Sequence, residues 1–555
     1  MAKRRDVLKA GAAAALTTPA IFGGVMLPEV ARAQLCRAEG LRTQQTEHDS
    51  PPVRPYIEPL FIPPTLHRVN PAALSPPPDP NRHQRFEDFP PVKFYETHLK
   101  QVYWNYHQDL SSLNPNNGSI GWGYDGVLPG PTLVARYGEA VFVRRHNDLP
   151  QAADTPLPFG YPAITTHLHN AHTATESDGY PMDFVEPGNF WDHHYAMIYA
   201  RNNPDEALAS LWYHDHMINF TATNVYSGLS AMAIFYDDLD SGDERDKRHG
   251  ALRLPSGYGK YDIPMILHDV RFTTQGHPDY NLFNTDGHLG DYMTINRKVM
   301  PFLKVERRKY RFRIYDGGPS RFYELMLGDN STMFVIANDG NLLEEPVEVS
   351  SIVMGPANRY DVVIDFSRYR PGQSVELLNV MEHINGMGPS GRRLDPGLRV
   401  MRFDVIDSNV EDNSQLPDFM RRLPRIDLDS VVAHREWIFD HDMGLWTING
   451  SFMDPTVISA APKQGTAEIW TIRNAGSGWA HPAHIHFEEG RVLEWNGRKP
   501  VGVLNSRKDV YMLGPNDEIK VFYRFDDFLG RYVIHCHNNV HEDNAMMLRW
   551  DIVPS

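Results

Sequence analysis

The chain has 555 residues, of which 41% are hydrophobic and 22% charged, so disordered, collagen-like and coiled-coil classes are excluded. At roughly 150 residues per domain, this length predicts three to four domains. The formal net charge of −16 argues against a nucleic-acid partner or an anionic membrane surface. Only two cysteines occur, Cys36 and Cys536, so no disulfide framework holds the fold. The 26 histidines, by contrast, raise the question of a metal centre, because histidine is the commonest metal ligand.

Residues 1–33 have the composition of a secretory signal peptide. A basic start that contains Arg4-Arg5 precedes an Ala-rich apolar stretch, and the segment ends in an Ala-x-Ala sequence at 31–33. The paired arginines resemble a twin-arginine signal, and a general secretory signal is the alternative. We therefore expect an exported protein, periplasmic or extracellular, without a stable membrane anchor. After cleavage, Cys36 would be the third residue of the mature chain and dispensable.

The mature chain is expected to begin with a Pro-rich segment and to continue in short strands. Residues 51–91 contain 13 prolines, which predicts an extended, wrapping segment over 34–91. Beyond it, short runs of alternating polarity separated by Gly, Pro, Asn and Asp indicate an all-β protein built of sandwiches or barrels. Similar strand patterns recur at 138–147, 303–313 and 465–474. Three copies of one β-domain are therefore predicted, at 92–240, 255–407 and 435–555.

Histidines of the first and third predicted domains form four clusters. Each contains a His-x-His pair, and in a strand residues i and i+2 point to the same side, so each pair presents two imidazoles together. One such pair arises by chance in a polar strand, but four pairs, one of which encloses a cysteine, predict metal binding. The clusters are His167-Leu168-His169, His214-Asp215-His216, His481-Pro482-Ala483-His484-Ile485-His486, and His535-Cys536-His537 followed by His541 and Met546.

The segment around Cys536 is the most informative of the four. If it is a strand, its two histidine neighbours face one way and the cysteine faces the other, so the cysteine serves a different metal ion. Together with His481, His541 and Met546, it supplies the two imidazoles, thiolate and soft thioether of a blue-copper electron-transfer site. Zinc would gain nothing from the thioether. The alternative for Met546 is a core position, and Met547 could take its place.

These motifs resemble the three-domain multicopper oxidases, and within them the group of laccases, bilirubin oxidases and bacterial spore-coat laccases. The resemblance extends over nearly the whole mature chain and implies three cupredoxin-like Greek-key β-sandwich domains. It also implies four copper ions, one of type 1, one of type 2 and two of type 3, and imidazole ligands suit copper well. Supporting similarities are Pro129-Gly130-Pro131-Thr132, Asp262-Ile263-Pro264, residues 305–313 and Ile448-Asn449-Gly450.

The same resemblance implies which residues hold each copper. The type 1 ion would be held by His481, Cys536 and His541, with Met546 as the axial ligand. The type 2 ion would be held by His167 and His484. The type 3 pair would be held by His169, His214, His216, His486, His535 and His537. Half of the ligands for these last three ions come from the first domain and half from the third, so we expect the trinuclear cluster at that interface.

The resemblance further implies how electrons and protons move. A small reducing substrate would give single electrons to the type 1 copper through a solvent-facing edge of His481. The electrons would pass along the backbone from Cys536 to its neighbouring histidines and reduce dioxygen to water at the trinuclear cluster. Glu542 and Asp178 resemble acidic residues that assist proton delivery. Asp215 is expected to face away from the copper and to be structural.

The leading hypothesis is a laccase-like oxidase of phenols or aminophenols. A metal oxidase acting on Cu(I), Fe(II) or Mn(II) is the alternative. The acidic surface and Glu488-Glu489 could attract cationic metal or amine substrates, although the pair could also be simply solvated. Residues 381–387 offer only a thin hint of the methionine-rich insert of cuprous oxidases. A non-enzymatic relative is disfavoured because all twelve expected ligands are present, and a zinc hydrolase is disfavoured by the thioether. Three further histidines are expected to be structural: His172, His193 and His194.

Overall fold

A computed structural model describes residues 49–476 and 478–555, together with two short paired strands, β1 (Ile21–Phe22) and β2 (Val25–Met26). The rest of the predicted export segment and Cys36 lie outside the described residues. In the described part, strands in paired sheets predominate over a few short helices, which confirms the all-β prediction. No helix in this part of the chain is long and apolar enough to cross a membrane.

The first sandwich follows the Pro-rich segment. Its strands are β3 (Lys93–Trp104), β4 (Ser119–Tyr124), β5 (Gly130–Arg136), β6 (Val141–Asn147), β7 (Thr166–Leu168), β8 (Phe190–Tyr195), β9 (Ser210–Asp215) and β10 (Ser230–Tyr236). They form two four-stranded sheets, in the orders β4-β3-β6-β8 and β5-β10-β9-β7. Alternate residues such as Val141 and Val143 point into the core between the sheets, where they pack with Leu133 and Tyr213.

The second sandwich is the largest. Its strands are β11 (Asp262–Val270), β12 (Tyr292–Ile295), β13 (Lys298–Val299), β14 (Phe302–Val305), β15 (Lys309–Asp316), β16 (Tyr323–Leu327), β17 (Met333–Asn338), β18 (Asn341–Val349), β19 (Ser351–Met354), β20 (Arg359–Asp365), β21 (Ser374–His383) and β22 (Pro389–Val405). A seven-stranded sheet, β13-β12-β11-β15-β20-β17-β18, faces a five-stranded sheet, β14-β22-β21-β16-β19.

The third sandwich completes the chain. Its strands are β23 (Val431–Asp442), β24 (Leu445–Ile448), β25 (Thr466–Asn474), β26 (His481–Ile485), β27 (Gly490–Trp495), β28 (Arg507–Lys508), β29 (Val510–Leu513), β30 (Glu518–Phe525), β31 (Gly530–Cys536) and β32 (Met547–Ile552). The two sheets have the orders β24-β23-β25-β30-β27-β28 and β29-β26-β31-β32. Their shared core includes Trp437, Trp470 and Trp550.

The three recurring strand patterns occupy equivalent places in the three sandwiches. β6, β15 and β25 each pair in parallel with the first strand of their own sandwich, namely β3, β11 and β23. Each also pairs antiparallel with a later strand, namely β8, β20 and β30. The repetition in the sequence therefore reflects a repeated sheet topology.

Helices are few and short in the described part of the chain. The α-helices are Gln108–Ser111, Thr175–Asp178, Thr221–Ser227 and Asn539–Asp543. The 3₁₀-helices are Pro71–Ala73, Pro80–Arg82, Ala200–Asn202, Pro204–Glu206, Phe366–Arg368, Leu428–Ser430 and Gly502–Leu504. Two of the α-helices, Thr175–Asp178 and Asn539–Asp543, directly follow histidine clusters and place acidic side chains beside them.

The Pro-rich segment runs across all three sandwiches. The Leu66 N–H donates to the Thr132 carbonyl of the first sandwich, and the Leu60 N–H donates to the Phe302 carbonyl of the second. The Gln84 side chain exchanges two hydrogen bonds, each of 2.9 Å, with the backbone of Leu529 in the third. Because proline cannot donate in a sheet ladder, these bonds come from the residues between the prolines.

Candidate metal centre

Two histidine nitrogens face the sulfur of Cys536. Nδ1 of His481 and Nδ1 of His541 each lie 3.5 Å from Sγ, and all three side chains are fully buried. β26 begins at His481 and β31 ends at Cys536, and these strands pair through Ala483. His541 lies on the short helix that follows. The structure thus brings the predicted thiolate and its two imidazoles together.

The surroundings keep these groups ready to bind a soft cation. The Nε2–H of His541 donates to the Asp286 carbonyl at 2.9 Å, which leaves the Nδ1 lone pair directed at the sulfur. Burial lowers the pKa of His481 to about 3, so its imidazole is neutral. Burial raises the pKa of the Cys536 thiol, so the thiolate needs a bound cation to stabilise it.

The backbone of Met546 is hydrogen-bonded to two other residues of this donor set, His541 and Cys536. Its N–H donates to the His541 carbonyl and its carbonyl accepts from the Cys536 N–H, each at 3.1 Å. The buried Met546 side chain packs in the same apolar cluster as Cys536, whereas Met547 packs in a different one with Tyr180. This packing favours Met546 over Met547 as the thioether donor.

Aromatic rings cover the Cys536 site. The ring of Trp446 stacks on His541, and His441 contacts both Trp446 and Trp479, with ring centroids 3.9 and 4.2 Å away. The two tryptophan rings also contact each other edge to face, with centroids 5.3 Å apart. His481 is 0% exposed, so the predicted solvent-facing edge of this residue is wrong. The physical reason is that Trp446 packs edge-on against the His481 ring, with centroids 5.8 Å apart.

The eight remaining cluster histidines converge between the first and third sandwiches. His167 on β7 pairs with His214 on β9, and His484 on β26 pairs with His535 on β31. In all four His-x-His pairs, the second histidine is the first residue beyond its strand. All eight are 0% exposed: His167, His169, His214, His216, His484, His486, His535 and His537.

Three of these imidazoles point at one another. The Nε2 atom of His216 lies 3.2 Å from the Nε2 atoms of both His486 and His535, and these two lie 3.3 Å from each other. The Nδ1–H of His486 donates to a carboxyl oxygen of Asp178 at 2.7 Å, so its Nε2 carries a lone pair. His535 Nδ1 lies 3.2 Å from a carboxylate oxygen of Glu542. Converging lone pairs in a buried site are unfavourable unless a cation lies among them.

The other five imidazoles form an adjoining group. His214 Nδ1–H donates to the Asp215 carbonyl at 2.8 Å, and His484 Nδ1–H donates to the Asp509 carbonyl at 2.9 Å. The Nε2 atoms of all five are buried without a hydrogen-bond partner: His167, His169, His214, His484 and His537. Ligand atoms lie within 4.8 Å of one another in two triplets, His169-His214-His537 and His167-His169-His484.

The donor chemistry fits copper. One site offers two neutral imidazoles, a thiol that needs a cation to ionise, and a nearby thioether, a set that suits copper better than zinc. The other offers eight buried imidazoles, each with a ring nitrogen that either faces another imidazole or has no hydrogen-bond partner. Imidazole suits copper, and buried nitrogens without partners are costly when no ion is bound.

Asp178 ends the helix Thr175–Asp178 against this cluster. Besides its carboxylate bond to His486, its carbonyl accepts a hydrogen bond from His167. Burial raises the pKa of the Asp178 carboxyl well above its usual range, which favours its protonated form. Gly179 follows with a φ of 90°, and a Cβ there would lie 2.5 Å from the His167 Cα. Only glycine therefore lets the helix end so close to the histidines.

Glu542 lies on the opposite side of the cluster. Its carboxylate accepts from the Thr221 hydroxyl at 2.7 Å and from the Asn539 amide at 3.0 Å. Burial alone would raise the pKa of Glu542, but the charges of His535 and His216 and a hydrogen bond to His535 lower it well below its usual range. Two buried carboxyl groups with opposite pKa shifts thus lie against the same eight histidines.

Four other predicted residues lie outside the donor sets. The Asp215 carboxylate accepts from the Thr165 N–H and the Asn224 amide, so it is structural as expected. His172 lies between two carboxylates, with ring nitrogens 3.0 Å from oxygens of Glu488 and Asp527. The Nδ1 of His193 bonds to the Ser177 carbonyl, and the Nε2 of His194 bonds to the Phe89 carbonyl.

The pair Glu488-Glu489 is neither solvated nor a surface attractor for cations. Their side chains are buried, because Glu488 pairs with His172 and Glu489 accepts from the Asn341 amide at 2.9 Å. Arg359 of the second sandwich lies 3.6 Å from Glu489. Both sequence-based interpretations of the pair are therefore wrong, since neighbouring sandwiches cover it.

Asp509 is a supporting residue that sequence reasoning missed. Its carboxylate lies 2.8 Å from His169 Nδ1, and its carbonyl accepts from His484. Arg359 donates two hydrogen bonds to this carboxylate, at 2.6 and 2.9 Å. The second sandwich therefore helps to orient the cluster although it contributes no histidine to it. Asp509 stands directly before β29, which pairs with β26, and no spacing in the sequence marks that contact.

The fold and the two donor sets define a copper-dependent oxidoreductase built of three cupredoxin-like domains. Three multicopper oxidase family models match residues 108–239, 262–373 and 427–555. The bilirubin oxidase of Albifimbria verrucaria is 35% identical over 474 residues, which cover 82% of this chain and 76% of that protein. The laccase of Bacillus subtilis is 30% identical over 515 residues, which cover 83% and 94%. The chain belongs to the multicopper oxidase family, whose members bind four copper ions and use dioxygen and a reducing substrate.

Solved structures agree on the fold. A laccase from Pediococcus acidilactici superposes with a TM-score of 0.73 at 24% identity, over 91% of this chain and 95% of that one. A multicopper oxidase from Campylobacter jejuni, described as a metallo-oxidase, superposes with a TM-score of 0.69 at 20% identity, over 90% and 96%. The prediction of cupredoxin-like domains is confirmed.

Proposed function

We propose that this protein is a laccase-like oxidase of phenolic and aminophenolic substrates. The observation that supports this choice is the cover over the Cys536 site, where the rings of Trp446, His441 and Trp479 contact one another and Trp446 stacks on His541. A flat aromatic donor gains contact energy against such rings, at about 0.5–1.5 kcal/mol per aromatic pair. A hydrated metal ion gains much less there.

The proposed copper ligands are those expected from the sequence. The type 1 set is His481, Cys536 and His541, with Met546 as the axial donor. His167 and His484 form the type 2 set. Two type 3 triads follow from the convergent nitrogens, His169-His214-His537 and His216-His486-His535, and each triad lies within the 4.8 Å mutual spacing of its ligand atoms. The shared placement of both triads between two sandwiches supports a cluster at the domain interface.

When copper is bound, it supplies a one-electron acceptor beside Cys536 and a site where dioxygen takes four electrons and four protons to give two waters. The chain supplies the connection between these places. Cys536 is bonded through its own backbone to His535 and His537, which belong to the two different type 3 triads. An electron that starts at the Cys536 sulfur therefore has a short covalent path to either triad, and no change of conformation is required.

The chain also holds the protons that water formation consumes. Burial favours the protonated form of Asp178, whose carboxyl group contacts His486, so it is placed to supply a proton at the cluster. Glu542 is ionised beside His535, so it is placed to accept a proton and pass it on. Asp543, next in the chain, lies at the cavity of about 230 Å³ that Phe220, Tyr280 and other residues line. The cavity thus reaches the chain neighbour of Glu542, and we propose it as the source of the water that exchanges protons with this group.

Electrons enter through the aromatic cover. Trp479 and His441 are only partly buried, whereas Trp446 is 2% exposed. The His441 centroid lies 4.2 Å from that of Trp479 and 3.9 Å from that of Trp446, the two tryptophan centroids lie 5.3 Å apart, and the step from Trp446 onto His541 is 3.7 Å. A substrate that stacks on Trp479 or His441 loses one electron to this ring cluster without reaching the buried His481. His541 is thus the proposed entry ligand.

A metal oxidase is the second candidate, and one observation favours it. Met387 and Met512 line a cavity of about 280 Å³ together with Ala480, the residue before His481. Met381 packs beside them with Ala480 and Phe322. Thioethers are soft ligands that suit Cu(I). The residues 381–387 therefore approach the type 1 site more closely than their sequence spacing indicated.

A side-by-side kinetic comparison separates the two candidates. Copper-loaded protein is assayed with an aminophenol, with Cu(I) and with Mn(II), in the native chain and in the double variant M387L/M512L. The proposal expects aminophenol turnover that the double variant retains. Turnover of a metal ion alone, lost in M387L/M512L, would establish the second candidate and refute the first.

Two further assignments remain proposals. We propose that residues 1–33 direct export, by the twin-arginine route, so that the mature enzyme acts in the periplasm or outside the cell. The domain bounds 92–240, 255–407 and 435–555 are proposed as the units of the fold. The first two are supported by the strands that begin at Lys93 and Asp262, whereas the first strand of the third sandwich begins at Val431, before residue 435. N-terminal sequencing of the exported protein tests the first of these assignments.

A further inference from the structure

Two histidines lie side by side on the outer face of the first sandwich, away from the copper donor sets. β3 and β6 run in parallel, and their register places His98 opposite His146. Thr97 and Leu99, the chain neighbours of His98 in β3, point to the opposite face of the sheet, toward the core, and are fully buried. This face belongs to the sheet β4-β3-β6-β8, whereas the copper-binding histidines of this sandwich lie on or just beyond strands of the other sheet. The core of the sandwich separates the two places.

Each imidazole in this pair is bonded to a carboxylate. His98 Nδ1 lies 2.7 Å from an oxygen of Asp148, and His146 Nε2 lies 2.8 Å from an oxygen of Glu96. The two rings are nearly parallel, with centroids 4.5 Å apart and planes 6° apart. Phe190 packs against the His146 ring with centroids 5.5 Å apart. The strand register and these contacts together fix where the donor atoms lie.

We propose that Glu96, His98 and His146 form a surface site for one divalent late transition-metal ion such as Zn(II), with Asp148 orienting His98. One ligand atom from each of the three lies within 4.8 Å of the others. Their side chains are 22–36% exposed, so an ion can enter from solvent. Two imidazoles and a carboxylate are donors that zinc accepts, whereas calcium and magnesium require oxygen donors.

The proton balance of binding follows from the hydrogen bonds. The Nδ1–H of His98 stays with Asp148, so the other ring nitrogen of His98 has a lone pair for the ion. This carboxylate–histidine arrangement is common behind zinc ligands. On His146, the ring proton moves from Nε2 to Nδ1, so that Nε2 and the Glu96 carboxylate both become ligands. Binding competes with protonation of the two imidazoles and therefore strengthens as pH rises.

Calorimetric titration of the copper-loaded protein with zinc chloride tests the proposal. The expected result is one zinc ion per chain with a micromolar dissociation constant, and at least about tenfold weaker binding in both H98A and H146A. H249A removes an exposed histidine elsewhere and is expected to bind zinc as the native chain does. Zinc should also raise the melting temperature of the native protein and not that of H98A.

The blue colour is followed during the same titration and should not change. Zinc uptake that bleaches the protein would place the ion in a copper site and overturn the proposal. Equal affinity in the native chain, H98A and H146A would overturn it as well, and so would the absence of binding up to about 1 mM zinc.

Discussion

The indole ring of Trp446 lies flat on the imidazole of His541, with ring centroids 3.7 Å apart and planes 19° apart. The indole is itself held in place, since its Nε1–H donates to the Thr285 carbonyl at 3.0 Å. The neighbouring Asp286 carbonyl accepts the Nε2–H of His541. One loop of the second sandwich thus positions both the proposed type 1 ligand and the ring that covers it.

Replacing Trp446 by alanine should slow electron entry. The variant W446A removes the ring that contacts both His441 and His541. We therefore expect an aminophenol to reduce the type 1 copper at least about tenfold more slowly, which corresponds to about 1.4 kcal/mol in the activation barrier. Anaerobic stopped-flow measurement of the bleaching of the blue colour gives this rate. W446F keeps an aromatic ring and should stay close to the native rate. An unchanged rate in W446A would exclude the aromatic route.

Replacing Cys536 by serine should abolish the blue colour and turnover together. A serine oxygen is a hard, weakly acidic donor that cannot replace the thiolate. The eight histidines of the trinuclear cluster are unaltered, so C536S should still bind copper there, measurable as copper per chain after loading. Turnover in a colourless C536S variant would refute the electron path through this residue.

Removing either proposed proton group should slow dioxygen reduction and leave electron entry unchanged. We expect D178N and E542Q to lower the rate of reoxidation by dioxygen by about 10²-fold or more, the usual contribution of a positioned proton donor or acceptor. The anaerobic bleaching rate should remain native, because neither group touches the Cys536 site. Mixing reduced enzyme with dioxygen separates the two steps.

D543N is the matched control for these two variants. Asp543 is buried beside Glu542, burial raises the pKa of its carboxyl well above the usual range, and asparagine is an uncharged replacement of nearly the same shape. Its carboxyl accepts from the Ala222 N–H at 3.0 Å, which the asparagine oxygen can retain. Reoxidation as slow in D543N as in E542Q would show that any change on this helix has the same effect, and would remove the special role of Glu542.

His172 should make stability depend on pH above neutrality. Burial alone would lower its pKa, but Glu488 and Asp527 raise it to about 9, above the value of about 6.5 in an unfolded chain. The stabilisation is therefore complete below pH 6.5 or so and is lost as pH rises through about 9. A contribution of about 1–3 kcal/mol is expected from a shift of this size.

Melting temperatures of the copper-loaded protein between pH 6 and 10 measure this contribution. H172Q should be less stable than the native chain at pH 6 and should approach it at the alkaline end. H249Q, an exposed substitution, should follow the native curve throughout. Parallel curves for H172Q and the native chain would mean that His172 is uncharged in the fold.

The donor sets were predictable because their signal is local. A cysteine between two histidines, with His541 and Met546 close behind, specifies its own geometry once the segment is a strand, and β31 ends at Cys536. The His-x-His pairs work in the same way, because strand periodicity alone puts both rings on one side. The three-domain organisation was visible in the recurring pattern that became β6, β15 and β25.

What was missed depends on contacts between distant parts of the chain. His481 is buried by Trp446, which precedes it by one strand and a loop, and no periodicity links the two. Asp509 reaches His169 only because β29 pairs with β26. Glu488 is buried because His172 of the first sandwich lies against it. Each of these contacts requires the relative placement of sandwiches, which a single sequence does not encode locally.

The Pro-rich segment has a consequence for the order in which the chain assembles. Ribosomes release this segment first, yet Gln84 finds its partner only at Leu529, which is 445 residues later. Loop closure over that span is entropically unfavourable until the intervening sandwiches have formed. The segment therefore docks in stages, and the contact of Gln84 with Leu529 forms only once the third sandwich is in place.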